Sequence, residues 1–243
     1  MHSDGEYLLG DALEELRGTP DESARLIHLD DAWSRPGRCS GMGVEYETHE
    51  LETSFDIIDA CWDVLEPGGW IVADGDDWFK LKLENYLTEE YGNVAETYEG
   101  GGYRRTGGVT YQRSDGGVDR GGAGMYLRNG GYHVVFAHKG ETDHAYESAR
   151  QIAQRPKRDY GWKSVKPLSP YRAWVESLTE EGDRVVEPCA GTAPACIEAE
   201  RTGREWLAID IEPDAKAAYE KRRADALGAV KQHTLGSASV DVE

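Results

Sequence analysis

Two adjacent carboxylates, Asp30 and Asp31, follow the apolar segment LIHL and stand just before Trp33. Alternating apolar residues predict a buried strand from Arg25 to Leu29, so both acids lie at its open end. Neighbouring carboxylates can act as a general acid and base or supply half of a metal site, and a flat aromatic side chain can stack on a planar ligand. The plain alternative is a polar strand end, so the pair has to be weighed against the rest of the chain.

A second group of residues has the pattern of a nucleoside site. The strand DRVVEP is followed by the small-residue turn CAGTAP, a helix over residues 194–203 and the strand EWLAID, which ends in Asp210. Such a turn lets the backbone approach a ligand, and an acid about 20 residues later can accept hydrogen bonds from both ribose hydroxyls. The turn lacks the GxGxxG pattern, and no lysine follows it as in a P-loop. This argues against a dinucleotide or ATP and for a ligand without phosphates.

Residues 99–131 form a glycine-rich segment that is locally basic in an acidic chain. Against three acids, Glu99, Asp115 and Asp119, it carries five arginines: Arg104, Arg105, Arg113, Arg120 and Arg128. A solvated loop would explain this composition, but arginines also supply forked donors to phosphates and base edges. A second basic cluster over residues 150–166 agrees with the latter interpretation. Together the two clusters favour a phosphate-contacting surface.

The elements that must position these residues are typical of an α/β protein. Periodic apolar residues predict a helix over residues 54–66 with Ser54 as its N-cap, followed by the buried strand WIVAD. Further helices are predicted over residues 76–92, after Ser169 as N-cap with Pro170 in the first turn, and from residue 213 to about 227. With GYHVVFAHKG as another strand, this order predicts a mixed, mostly parallel sheet flanked by helices.

The composition narrows the class of protein. The chain has 243 residues, 46 acidic against 27 basic, and a formal net charge of -19. This balance is typical of a protein that stays soluble in concentrated salt, although an acidic interaction protein would look similar. The apolar runs are far shorter than the ~20 residues that span a bilayer, and the N-terminus lacks an apolar leader. We therefore expect a cytoplasmic protein without membrane contact.

The cysteines and histidines do not predict a metal site. His133 and His138 are five residues apart in a predicted strand and therefore point to opposite faces. The cysteines lack paired CxxC spacing, and we interpret them as small core residues rather than ligands or disulfides: Cys39, Cys61, Cys189 and Cys196. We expect no metal.

Taken together, these segments resemble the β class of S-adenosylmethionine-dependent DNA amino-methyltransferases, the adenine-N6 and cytosine-N4 family. The segment VVEPCAGTAPACIEAERTGREWLAIDIEPDA is similar to the family's DPFxGSGT loop, AAExxGR helix and GIDIxP strand end. KSVKPLSPYRAWVESLT is similar to the KP-L helix that precedes this loop, and DVLEPGGWIVADGDDW to the VLKPGG helix and strand. GDALEEL and LIHLDDAW resemble the GDxLExL opening and the DPPY catalytic loop. The resemblance runs from about residue 8 to 220, weakly across 90–130, and the order of its motifs is that of the β class.

The resemblance implies a Rossmann-like methyltransferase fold with a Gly/Arg-rich target-recognition insertion. Residues 1–92 would form the catalytic-loop half, 93–131 the insertion, and 132–228 the remaining sheet and the cofactor-binding half of the same domain. Residues 229–243 are expected to be a disordered tail. With the acidic charge, the resemblance suggests an origin in a halophilic archaeon or its virus.

The resemblance also implies residues that bind S-adenosylmethionine. Asp210 matches the ribose-binding acid, and Asp11 falls where the family contacts adenine. Lys166 and Pro167 match the motif on the cofactor's other side. The cofactor loop itself begins at Glu187 and continues beneath the methionine moiety through Cys189, Ala190 and Gly191. The loop departs from the family pattern, with replacements of an aromatic, a glycine and a threonine by Cys189, Ala193 and Pro194.

The chemistry that the resemblance implies is methyl transfer to the exocyclic amine of a base flipped out of double-stranded DNA. Asp30 would accept one amine hydrogen, the backbone carbonyl of Asp31 the other, and Trp33 would stack on the base. An acid at the first position goes mainly with adenine N6 in this family, which favours adenine over cytosine N4. Asp31 and Ala32, however, replace the two prolines of the pattern.

The arginines of residues 99–131 would contact the DNA. A homodimer and a cognate restriction enzyme are further partners that the resemblance suggests. Two other classes stay open: a catalytically silent DNA-binding relative, and a methyltransferase acting on RNA or a small molecule.

Overall fold

The computed structural model describes residues 4–31, 50–97, 99–119, 129–142, 147–162 and 164–237. The strands are β1 (Gly5–Leu9), β2 (Ala24–Leu29), β3 (Leu65–Gly75), β4 (Gly102–Tyr111), β5 (Gly131–His138), β6 (Arg150–Ala153), β7 (Arg184–Pro188) and β8 (Glu205–Asp210). The helices are α1 (Ala12–Gly18), α2 (Leu51–Val64), α3 (Phe79–Tyr91), α4 (Val94–Thr97), α5 (Leu168–Leu178), α6 (Pro194–Arg201) and α7 (Pro213–Ser237).

All eight strands form one sheet in the order β1-β8-β7-β2-β3-β5-β4-β6. β5 runs antiparallel to both of its neighbours, and the other pairings are parallel. The predicted mostly parallel sheet is therefore confirmed. β2 and β7 lie side by side at the centre, and the strand that follows each of them along the chain, β3 or β8, lies on its outer side. Ligands of open α/β sheets bind beyond the carboxyl ends of strands at such a switch point.

Helices cover both faces of the sheet. Side chains of α5, α6 and α7 pack on one face, and those of α1, α2 and α3 on the other. β2 shows how the sequence divides between them, because Leu26 belongs to the first core while Ile27 and Leu29 belong to the second. Because side chains alternate along a strand, the same period of two decides to which face of the sheet each polar residue of β2 points.

Part of the segment expected to be an insertion belongs to the central sheet. Residues 102–111 form β4, which pairs with β5 and β6. In the sequence the glycines of this segment are typical of a loop, but in the structure they let neighbouring strands of the sheet pack closely. A Cβ on Gly107 would lie 1.9 Å from the carbonyl oxygen of Ala149, and one on Gly131 1.8 Å from that of Val109. β1 and β6 were also not predicted.

Several predicted boundaries are wrong by a few residues. α2 begins at Leu51 after Glu50, so Ser54 is not its N-cap but a buried residue of the first turn. α5 begins at Leu168 with Pro167 at the N-cap position, instead of being capped by Ser169. α7 continues to Ser237, beyond its predicted end near residue 227 and into the segment 229–243 that was expected to be a disordered tail. Among the described residues, no helix is both long and apolar enough to cross a membrane.

Candidate active site

Asp30 and Asp31 lie directly beyond the carboxyl end of β2, at the centre of the sheet. The Asp30 side chain is 27% exposed, whereas Asp31 is buried. Trp33, the predicted stacking residue, lies outside the described residues, as does Ala32. The two acids thus occupy the position in the fold where a ligand is expected.

The loop after β7 reaches the same edge in an unusual backbone conformation. Cys189, Gly191 and Ala193 have positive φ angles of 58°, 52° and 45°. Left-handed conformations cost about 1–2 kcal/mol for residues with a Cβ and are found at functional sites. The Ala190 amide donates to the carbonyl of Ile209 at 2.8 Å, which ties the loop to β8. A Cβ on Gly191 would lie 3.2 Å from Trp162 Nε1.

Asp210 ends β8 beside this loop. Its Oδ2 accepts from the Gly191 amide at 2.7 Å and its Oδ1 from the Glu212 amide at 2.9 Å. Burial raises the pKa of the carboxyl, and these amide donors oppose the rise. Each carboxylate oxygen has a further lone pair, so Asp210 can still accept hydrogen bonds from a ligand.

Two exposed apolar side chains stand next to Asp210. Leu9 pairs with Asp210 in the register of β1 and β8 and is 49% exposed, and Ile211 is 58% exposed. Large apolar residues that are half exposed at the ligand edge of a sheet offer a surface for a flat ring. Sequence reasoning missed both: Ile211 directly follows the predicted ribose-binding acid in the sequence, whereas only the sheet register brings Leu9 beside it.

Asp11 lies close to Asp210 because the Gly10 amide donates to the Asp210 carbonyl at 3.1 Å. Its Oδ1 accepts from the amides of Leu13 and Glu14 at 3.0 Å, so the side chain caps the N-terminus of α1. This capping role accounts for an acid at this position on its own.

The strand end with Asp30 and Asp31 contacts the loop after β7, so the two predicted halves of the site meet. Cys189 Sγ lies 3.8 Å from Asp31 Oδ1. Burial, followed by the nearby carboxylates, raises the pKa of the Cys189 thiol, so it stays protonated and can donate. The structure therefore brings the strand end that carries Asp30 and Asp31 against the loop that begins at Glu187.

Lys166 is directed to the acids rather than outward. Its Nζ lies 3.1 Å from Asp30 Oδ2 and 2.9 Å from Asp74 Oδ2, and 4.1 Å from the ring centre of Tyr132. Burial would lower the pKa of Lys166, but the two carboxylates outweigh it and raise the pKa. Burial raises the pKa of Asp30, and the ammonium opposes that rise. The backbone carbonyl of Lys166 accepts from Arg222.

Asp74 is a site residue that sequence reasoning missed. It lies near the end of β3, is 1% exposed, and accepts from the Tyr171 hydroxyl at 2.6 Å. Burial favours the neutral acid, but Lys166 and His28 hold the pKa of Asp74 at about 2. A signal was present, since WIVAD ends in an acid just as LIHLD and WLAID do.

Glu187 is turned into the protein. It is 1% exposed, its Oε2 accepts from the Cys196 amide at 2.6 Å, and its Oε1 lies 2.5 Å from His28 Nδ1. The carboxylate thus fixes the start of the loop after β7 against α6 and β2.

The three predicted DNA-binding arginines within the described residues are divided between two places in the fold. Arg104 and Arg105 lie in β4, where Arg105 pairs with Phe136 of β5, level with the middle of β3. Together with Trp70 they line a cavity of about 120 Å³. Arg113 follows β4 at the edge that carries Asp30, and pairs with the neighbouring Asp115. Arg120 and Arg128 lie outside the described residues. No group of three or more acids, histidines or cysteines could hold a metal ion within the ranges that the structure describes.

No protein-family model and no curated protein sequence matches the chain. Solved structures do match it over nearly its whole length. One is the PvuII DNA methyltransferase (cytosine-N4-specific), with a TM-score of 0.67, 16% identity, and coverage of 93% of this chain and 92% of that one. The M1.HpyAVI-SAM complex matches with a TM-score of 0.63 and 15% identity over 90% and 98% of the two chains.

A third match is TTHA0409 from Thermus thermophilus, assigned as a DNA modification methylase and solved with S-adenosyl-L-methionine. Its TM-score is 0.58 at 17% identity, with coverage of 92% of this chain and 95% of that chain. At such identities a structural likeness establishes the fold. The eight-stranded sheet and its helices therefore have the Rossmann-like methyltransferase fold.

Proposed function

We propose that this protein is an S-adenosylmethionine-dependent DNA methyltransferase that modifies the exocyclic amine of a flipped-out base. The observation that carries the proposal is the contact between the two predicted halves of the site, Cys189 Sγ to Asp31 Oδ1 at 3.8 Å. It sets the strand end that carries the predicted target carboxylate, Asp30, against the loop after β7, which in turn contacts Asp210, at the switch point of the sheet. The fold shared with DNA methyltransferases supports the same function.

The residues present fit S-adenosylmethionine. Asp210 can accept from the ribose hydroxyls, and Leu9 and Ile211 offer apolar surface to a purine ring. Gly191 lets the loop adopt its positive φ of 52° without the strain that a side chain would add. When bound, S-adenosylmethionine supplies an electrophilic methyl group on a positively charged sulfur, and the carboxylates at this edge favour a cation.

Asp30 is the residue that we assign to the target amine. Lys166 engages its Oδ2, which leaves Oδ1 to accept from the amine and to take up the proton released after transfer. The Asp31 carbonyl would accept the second hydrogen, which draws the amine nitrogen toward a tetrahedral geometry. Trp33 keeps its sequence-based assignment as the stacking residue.

Adenine N6 is the target that the acid at position 30 favours, through the family resemblance. Cytosine N4 is the second candidate, favoured by the likeness to the cytosine-N4-specific PvuII enzyme. A net charge of -19 agrees with a protein adapted to concentrated salt, where phosphate contacts weaken and base contacts must carry recognition.

The decisive experiment measures tritium transfer from labelled S-adenosylmethionine to duplex DNA in concentrated KCl, followed by digestion to nucleosides. We expect label in N6-methyladenine; label in N4-methylcytosine would select the second candidate. Asp30→Ala should abolish transfer while calorimetry shows cofactor binding largely kept. Glu176→Gln, which changes an exposed acid of α5, is the control. Labelling of RNA or a small molecule instead, or no cofactor binding, would contradict the proposal.

A further inference from the structure

His28 lies between two buried carboxylates of different strands. It is 2% exposed, with Nδ1 at 2.5 Å from Glu187 Oε1 in β7 and Nε2 at 3.5 Å from Asp74 Oδ2 in β3. A neutral imidazole has one N–H and one acceptor nitrogen, so it can donate to only one of them. Each carboxylate faces an N–H group only when both ring nitrogens of His28 are protonated.

The surroundings of His28 support the charged form. Tyr171 of α5 packs its ring 4.4 Å from the imidazole, centre to centre, and Asp30 interacts with His28 electrostatically. Burial alone would lower the pKa of His28, but Asp74 and Glu187 raise it to about 10. The Nε2–Asp74 separation of 3.5 Å is an ion-pair distance rather than a hydrogen bond, so it is the charge of the ring that joins His28 to Asp74.

The two carboxylates belong to different parts of the candidate site. Glu187 fixes the loop after β7 through the Cys196 amide at 2.6 Å. Asp74 holds Lys166 at 2.9 Å, and Lys166 in turn reaches Asp30 at 3.1 Å. An unbroken series of contacts therefore runs from the cofactor loop, through His28, to the predicted target carboxylate.

We propose that His28 is a positioning residue, whose imidazolium bridges Glu187 and Asp74 and so holds the cofactor loop in register with Asp30. This inference rests on the proposed function for its effect on transfer. The charged bridge itself can be tested without any activity.

The first test is the protonation state of the ring. In ¹⁵N-histidine-labelled protein, with the His28 signals assigned by their loss in His28→Gln, we expect both ring nitrogens to be protonated at pH 8. His138 is an internal control, since it is buried but faces the Gly140 carbonyl, and burial lowers its pKa. It should be neutral in the same spectrum. A neutral, single tautomer of His28 at pH 8 would overturn the inference.

The second test is kinetic. His28→Gln keeps a polar side chain but removes the charge, and should lower the transfer rate by about tenfold or more, because misplacing reacting groups by ~1 Å can cost ~100-fold. S-adenosylmethionine affinity should fall as well, and His138→Gln should leave both within about twofold. A folded His28→Gln with wild-type rate and affinity would overturn the positioning role. If the wild-type protein is inactive, the proposed function fails, while the ring spectrum and cofactor affinity still decide on His28.

Discussion

Lys166→Met is the most direct test of the ion-pair array at the catalytic edge. The ammonium contacts Asp30 at 3.1 Å and Asp74 at 2.9 Å, and its side chain is only 17% exposed. Methionine retains much of the length of lysine but leaves the two carboxylates without this cation. Removing one partner of a buried ion pair costs about 3–5 kcal/mol of unfolding free energy.

Protonation of one carboxylate limits that loss. A carboxyl with an ordinary pKa of ~3.9 can be held neutral at pH 7 at a cost of about 4 kcal/mol, since one pH unit corresponds to about 1.4 kcal/mol. The folded variant then binds a proton that the unfolded chain does not bind, so its stability rises as the pH falls toward 4. In the wild type the Lys166 ammonium holds the pKa of Asp74 at about 2 and opposes the rise that burial causes at Asp30, so this change is smaller. We expect a deficit of about 3–4 kcal/mol at pH 7 that shrinks to about 1–2 kcal/mol at pH 5.

The assay is urea unfolding followed by tryptophan fluorescence from pH 5 to pH 8 at constant salt. Lys139→Met is the matched control, because its Nζ donates to the carbonyls of Trp62 and Leu65 at 3.0 and 2.8 Å and, among the described residues, forms an ion pair with the exposed Glu22 alone. Its deficit should not depend on pH. A Lys166→Met deficit that is equal at pH 5 and pH 8 would refute the reasoning.

Four further predictions concern ligand binding and methyl transfer. Asp210→Ala should weaken S-adenosylmethionine binding about 10- to 100-fold in calorimetry, because hydrogen bonds to a charged group contribute about 1.5–3 kcal/mol; unchanged affinity would remove its ribose role. Asp31→Pro should retain methyl transfer, since the backbone carbonyl is the proposed acceptor, and an inactive variant would show that the carboxylate itself is needed. Arg113→Ala should weaken DNA binding and reduce its salt slope by about one without changing cofactor affinity. The Arg104→Ala, Arg105→Ala double variant should reduce DNA binding more than cofactor binding, and equal losses would contradict a DNA-binding role.

Local sequence patterns were sufficient for the elements that carry the site. The apolar runs before Asp30 and Asp210 predicted β2 and β8, and the small-residue turn between β7 and α6 was located correctly. A parallel strand that is buried on both faces requires a short run of apolar residues. In β2 and β8 an acid marks the end of this run, so the whole pattern lies within a few consecutive residues. The mostly parallel sheet followed from the alternation of strands and helices.

β4 was missed because its sequence is ambiguous without its neighbours. Gly107 and Gly108 resemble loop residues, and only the approach of the backbone at Ala149 and Tyr132 shows why a side chain is excluded there. The same strand separates arginines that appear as one cluster in the sequence, since Arg113 is carried to the ligand edge and Arg105 is not.

The roles of the buried charges were decided by tertiary structure alone. His28 and Glu187 are 159 residues apart in the chain, and Lys166 and Asp74 are 92 apart. The sequence by itself determined that a polar strand end and a nucleoside-type loop exist. Only the folded sheet brings His28, Asp74 and Lys166 together. Their charges are tolerated in the protein interior because each has oppositely charged partners from distant parts of the chain.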